Sequence, residues 1–124
     1  MDSTKPHILV VDDEMGPRES LKMILNPYYN VLTADRGGQA VEMLKQYPID
    51  LVTLDLKMPG FTGINVLEKV KQHDPDIEAI IITGYGSLDT AIEGLRLGAF
   101  DYIAKPINDE HLLVLARSLS KDSS

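Results

Sequence analysis

Residues 51–55 read LVTLD: four apolar or β-branched side chains in succession, then a carboxylate. A short continuous run of that kind suits a strand covered on both faces, as in a parallel sheet. The design recurs at 8–12, ILVVD, and at 79–83, AIIIT. Five strands are expected in all: His7–Val11, Tyr29–Ala34, Asp50–Leu54, Glu78–Thr83 and Phe100–Ile103.

Between these runs apolar residues return at helical spacing. Leu21, Ile24 and Leu25 stand at i, i+3 and i+4; Val41 and Leu44 follow the same rule, as do Ile64, Leu67 and Val70, then Leu88, Ala91, Ile92 and Leu95. The last segment, with Leu112, Leu113, Leu115, Ala116 and Leu119, is apolar on more than one face. Such stripes normally dock on the sheet. Pro17 suits the first turn of a helix. Gly37–Gly38 and Gly60–Gly63 break the chain before two others, and Ser87 is placed as an N-cap. Asn108 with Asp109 and Glu110 supplies a cap and acids where the helix dipole favours them. Pro48 and Pro75 end helices before the third and fourth strands. Strand and helix alternate five times, which predicts an α/β sandwich with right-handed crossovers.

The 124 residues suit one domain, 1–124, with a core of about 7–119 and loose ends. At 44% hydrophobic residues it has enough apolar surface for a core without staples. There is no cysteine, which excludes disulfides, thiolate nucleophiles and cysteine-ligated metals. The three histidines, His7, His73 and His111, have no metal-ligand spacing. A net charge of −7 argues against a nucleic-acid footprint. No apolar run approaches the length of a membrane span, and the first residues carry no signal pattern, so a cytoplasmic protein is expected.

In an open parallel sheet, ligands gather at the carboxyl ends of the strands. Here the first strand ends in Asp12–Asp13–Glu14, the third in Asp55 and the fourth in Thr83, and the fifth runs into Lys105–Pro106. Taken singly, each has an ordinary reading. Asp residues form turns, Thr83 is β-branched, Lys105 is a surface charge and Tyr102 is packing. Their shared place at one sheet edge favours a site. Two carboxylates about 4 Å apart repel by roughly 4 kcal/mol at an effective dielectric near 20. A pocket holding Asp12, Asp13 and Asp55 therefore calls for a proton or a cation, and oxygen donors favour Mg²⁺, with Mn²⁺ or Ca²⁺ as alternatives. An Asp can attack phosphorus to give an acyl phosphate, while Lys105 and the Thr83 hydroxyl stabilise the oxygens.

ILVVDDE at 8–14, LVTLDLKMPGFTG at 51–63, IIITGYG at 80–86 and GAFDYIAKP at 98–106 resemble, in order and spacing, the receiver domain of bacterial two-component response regulators. TGYG and GAFDYIAKP look most like the nitrogen-regulatory type, which precedes an ATPase and a DNA-binding domain. The resemblance implies a flavodoxin-like (βα)5 fold, doubly wound, with strand order 2-1-3-4-5. It implies Asp55 as phosphoacceptor, Asp13 as a direct Mg²⁺ ligand, Asp12 holding the metal through water, and the backbone carbonyl of Lys57 as the third protein ligand. Lys105 would contact the phosphoryl group ahead of a cis peptide to Pro106. Thr83 and Tyr102 would move together as the switch. Lys57 and Tyr85 would border the path of the hydrolytic water, with Tyr85 shielding the acyl phosphate.

Rival readings fare less well. A haloacid-dehalogenase-type phosphatase needs an acidic group two residues beyond its nucleophile, and that position is Lys57. A dinucleotide-binding module would want a third glycine where Asp89 stands after Gly84 and Gly86. A pure interaction domain with a vestigial pocket has no support, since every needed side chain is present. The expectation is a phosphoacceptor switch, not a multi-turnover enzyme. It would take its phosphoryl group from a sensor histidine kinase and alter the face of the fourth helix, fifth strand and fifth helix. That face would control homodimerisation or an output domain, the latter not visible in this chain, with transcription as the expected output.

Overall fold

The computed structural model describes residues 4–55, 63–84, 88–105 and 107–120. Strands and helices alternate as β1 (His7–Val11), α1 (Met15–Leu25), β2 (Asn30–Ala34), α2 (Gly37–Gln46), β3 (Leu51–Asp55), α3 (Gly63–His73), β4 (Glu78–Thr83), α4 (Leu88–Arg96), β5 (Asp101–Ala104) and α5 (Asp109–Ser120). All neighbouring strands pair in parallel, in the order β2-β1-β3-β4-β5. This is the five-stranded, flavodoxin-like arrangement expected.

The continuous apolar strands are explained by two cores, one on each face of the sheet. Ile8, Val10, Leu51, Ile80, Ile82 and Ile103 pack with Leu21 and Leu25 of α1 and Leu112, Leu115 and Ala116 of α5. The alternate residues Leu9, Val11, Val52, Leu54, Ala79 and Ile81 pack with Ala40 and Leu44 of α2 and Val66, Leu67 and Val70 of α3. A side-chain period of two sends successive residues to opposite layers.

Three strands differ from expectation by one residue. Tyr29 stays outside β2 because its amide donates to the Leu25 carbonyl at 3.0 Å, closing the turn after α1, and pairing starts at His7 with Asn30. β3 begins at Leu51, so Asp55 is its last residue and stands in register with Ile82. β5 begins at Asp101, opposite Ile80, and leaves Phe100 half-exposed before it.

Most helix signals hold where they fall on described residues, with one correction: Gly37 and Gly38 do not break the chain before α2 but form its first turn after the extended Arg36, and Gly63 is the first residue of α3. Asn108 Oδ1 accepts the His111 amide at 2.9 Å, capping α5. Pro17 lies in the first turn of α1, and Pro48 and Pro75 follow the ends of α2 and α3. Gly60 and Ser87 lie outside the described residues. α4 differs in how it meets the sheet: Ile92 is 39% exposed, and among the described residues of the helix the buried one is Gly94. A Cβ on Gly94 would collide with Cδ1 of Ile81, so the missing side chain is what lets this helix approach β4. α4 then stops in a Schellman turn. The Ala99 amide donates to the Gly94 carbonyl at 3.0 Å and the Gly98 amide to the Leu95 carbonyl at 3.2 Å. Gly98 supplies the left-handed conformation at φ 111°.

Candidate functional site

The fold places the functional side chains at one edge of the sheet. Asp12 directly follows β1, and its amide donates to the Ala34 carbonyl of the neighbouring strand at 3.1 Å. Asp55 closes β3, and Lys105 directly follows β5. Asp12, Asp55 and Lys105 fall on the same alternation as Val10, Thr53 and Ile103, so all three stand over the α1–α5 layer.

The side chains meet there. Carboxylate oxygens of Asp12, Asp13 and Asp55 lie within 4.8 Å of one another. The Lys105 Nζ donates to Asp55 Oδ2 at 3.2 Å and lies 3.9 Å from both Asp12 Oδ2 and Glu14 Oε1. Asp12 is 1% and Asp55 4% exposed, whereas Asp13 and Lys105 are half-buried. The pocket is therefore closed beneath and open where Asp13 and Lys105 reach solvent.

Burial pushes the Asp12 carboxyl up to about 6, helped by the facing Asp55 and opposed by the Glu14 amide and the Lys105 ammonium. For Lys105, burial works against the charge, but Asp55, Asp12 and Glu14 together outweigh it and raise its pKa. Lys105 thus keeps its proton.

The donor set suits a hard divalent cation. It consists of carboxylate oxygens, and three carboxyl groups gather around one ammonium. Among the described residues, the buried Asp12 Oδ2 and Asp13 Oδ1 accept no hydrogen bond. Buried acceptors ordinarily have a partner, and oxygens without a hydrogen bond inside an acidic pocket fit the coordination of a cation.

Thr83 ends β4 with its backbone opposite Ala104 of β5, and its side chain lies outside the described residues. Tyr102 is half-buried and packs against the α2–α3 core, on the other face of the sheet from Lys105. Lys57, Tyr85 and Pro106 lie outside the described residues. Two participants were given no role from sequence, although Glu14 was named at the end of the first strand. Glu14 pairs with Lys105 from the rim of the pocket, and Arg18 Nη1 donates to the Asp12 carbonyl at 3.0 Å. The only sequence signal for Arg18 was its place one helical turn after the acids.

Beside the pocket runs a groove of about 350 Å³ lined by Pro17, Ser20, Ile24, Lys105, Ile107 and Asp109. No helix among the described residues is long and apolar enough to cross a membrane.

Comparison with known proteins agrees with this architecture. The chain is 38% identical over 122 residues to the transcriptional regulatory protein ZraR of Klebsiella oxytoca, covering 97% of this chain and 28% of that protein. It is 40% identical over 106 residues to sporulation initiation phosphotransferase F of Bacillus subtilis, covering 85% of this chain and 86% of the relative. The receiver domain of NtrX from Brucella abortus superposes with a TM-score of 0.88 at 31% identity, covering 94% of this chain and 99% of that one. The chain thus spans about a quarter of ZraR's length and nearly all of the shorter relative and of the isolated receiver. The family model for the response regulator receiver domain matches residues 8–117, and the chain belongs to that family, as a signalling receiver of two-component systems similar to those of ZraR and NtrX.

Proposed function

We propose that this receiver, residues 1–124 with a core of about 7–119, stores a phosphoryl group on Asp55 in the presence of Mg²⁺. The observation that carries the reading is the approach of three carboxylates to within 4.8 Å with the Lys105 ammonium 3.2 Å from Asp55. The donor is a phosphohistidine on a sensor kinase. An Asp55 carboxylate oxygen bonds to phosphorus while the phosphorus–nitrogen bond breaks. The electron pair of that bond stays on the imidazole, which takes up a proton from solvent.

Lys105 holds its charge beside the oxygens of the transferring group and so stabilises them more in the transition state than before it. Asp13 and Asp55, with the Lys57 carbonyl, would hold Mg²⁺ directly, and Asp12 through water; Mn²⁺ would fit the same oxygens. Bound metal would neutralise charge on the phosphoryl oxygens. The groove supports a macromolecular donor, since residues of α1 and α5 line it together with Lys105. No acid stands two residues beyond Asp55, where Lys57 is found, which supports slow loss of the phosphoryl group over enzymatic turnover.

Thr83 and Tyr102 serve as the switch, shifting the α4–β5–α5 face between two populations. That face acts on a second copy of the chain or on an output domain. ZraR is named a transcriptional regulatory protein, which favours transcriptional output. The acidic balance and the lack of a spanning helix among the described residues support a cytoplasmic domain that binds neither DNA nor membrane itself.

The test is incubation with acetyl phosphate and Mg²⁺ followed by intact mass measurement. One added phosphoryl mass is expected, lost with Asp55→Asn and with chelator. Mass gain that survives Asp55→Asn overturns the assignment.

A further inference from the structure

Asp12 is held at three points. Its amide donates to the Ala34 carbonyl at 3.1 Å, its Oδ1 accepts the Glu14 amide at 2.9 Å, and its carbonyl accepts from Arg18 Nη1 at 3.0 Å. The third contact differs from the others, because it acts on the peptide that joins Asp12 to Asp13. That peptide is planar. A donor fixed on its carbonyl therefore fixes the direction of the Asp13 amide, and with it the path by which the Asp13 side chain enters the pocket. The Arg18 amide meanwhile donates to the Glu14 carbonyl at 3.1 Å, so one residue ties both sides of the turn between β1 and α1.

The choice of partner is informative. A guanidinium presents five donors in a fork suited to a carboxylate. Arg18 is half-buried and bonded to the backbone of a residue in a three-carboxylate cluster. Yet among the described residues it forms no ion pair. The arginine holds the turn through a backbone carbonyl, and among the described residues it pairs with none of the carboxylates.

We propose that Arg18 is a positioning residue for the cation site, orienting the Asp12–Asp13 peptide so that the Asp13 carboxylate faces the metal. This rests on the reading of the pocket as a Mg²⁺ site. Through-space charge and positioning have opposite signs here. A fixed positive charge near the pocket repels Mg²⁺, so removing it by charge alone would tighten binding. Removing a positioning hydrogen bond would weaken it, by about tenfold for a partner that orients a metal ligand.

The experiment is calorimetric titration of Mg²⁺ into wild type, Arg18→Met, Arg18→Lys and Asp13→Asn. Circular dichroism in chelator would verify the fold of each. Arg18→Met keeps an apolar stem but no donor and should weaken Mg²⁺ about tenfold. Arg18→Lys keeps the charge and one kind of donor and should stay within about threefold of wild type. If Arg18→Met does not fold, Arg18→Leu, which also lacks a donor, takes its place. Unchanged or tighter Mg²⁺ binding in the folded neutral variant overturns the proposal. Failure of wild type to take Mg²⁺, or binding unaffected by Asp13→Asn, would instead reject the pocket reading. The Asp13 amide resonance of the metal-free protein judges Arg18 independently: it should move in Arg18→Met, and an unmoved resonance also overturns the role.

Discussion

The ammonium of Lys105 donates to Asp55 across fifty residues of sequence, at 3.2 Å. β4 separates β3 from β5, so the bond crosses a whole strand at the sheet edge. Among the described residues it is the shortest of three ion pairs that Lys105 makes, the others being with Asp12 and Glu14 at 3.9 Å. Lys105 thereby brings a positive charge into the pocket and is, among the described residues, the cation nearest the carboxylate proposed to be phosphorylated.

Lys105→Gln should consequently separate two roles. Phosphorylation by acetyl phosphate should slow by about 10²-fold, the usual cost of removing one preorganised stabiliser of transition-state charge. Mg²⁺ affinity should rise, because a competing positive charge has gone. Mass kinetics and metal titration check the two; a matching rate with and without Lys105 would remove it from the chemistry.

Asp12 makes the metal-free protein pH-dependent. Its carboxyl is raised from 3.8 to about 6, so the folded state holds a proton that the unfolded state releases. That contribution is fully present below 3.8 and is lost as pH rises through about 6. In chelator, urea unfolding should show wild type losing stability between about pH 4 and pH 7, with Asp12→Asn losing less. Saturating Mg²⁺ should reverse the trend, since it binds the ionised form. A steeper fall in Asp12→Asn than in wild type would contradict this account.

Gly94 should resist substitution despite lying inside a helix. Alanine there ordinarily gains about 1 kcal/mol of helix propensity. Here its Cβ meets the fully buried Ile81, and overpacking of a core costs about 1–3 kcal/mol. Gly94→Ala is expected to lower stability. Adding Ile81→Val removes the colliding Cδ1, so the double variant should be more stable than the sum of the single changes. Strict additivity would place the strain elsewhere.

Thr53 offers the opposite case. It lies fully buried in the middle of β3 between Val10 and Ile80, and its hydroxyl finds no hydrogen-bond partner among the described residues. Thr53→Val keeps the shape and removes an unsatisfied polar group, which costs about 1–3 kcal/mol when buried. Thermal unfolding should show a higher midpoint with no change in Mg²⁺ affinity.

The sequence alone determined the strands, their burial on two faces and the acids and lysine at their ends. Those properties are local: a run such as LVTL declares two-sided burial through its composition, and Asp55 declares itself by ending that run. Boundaries slipped by one residue at Asn30, Leu51 and Asp101, where turn hydrogen bonds and neighbouring strands, not side-chain type, decide where pairing starts. Tertiary structure alone decided the rest. Asp12 acquires its raised pKa from burial and from Asp55, residues apart in sequence but one strand apart in the sheet. Gly94 reads as a weak helix residue until Ile81 is placed against it. Arg18 looks like an ordinary helix-surface charge until its guanidinium reaches the Asp12 carbonyl. In each case the property belongs to a pair of atoms, and chain folding is what brings the second atom within range.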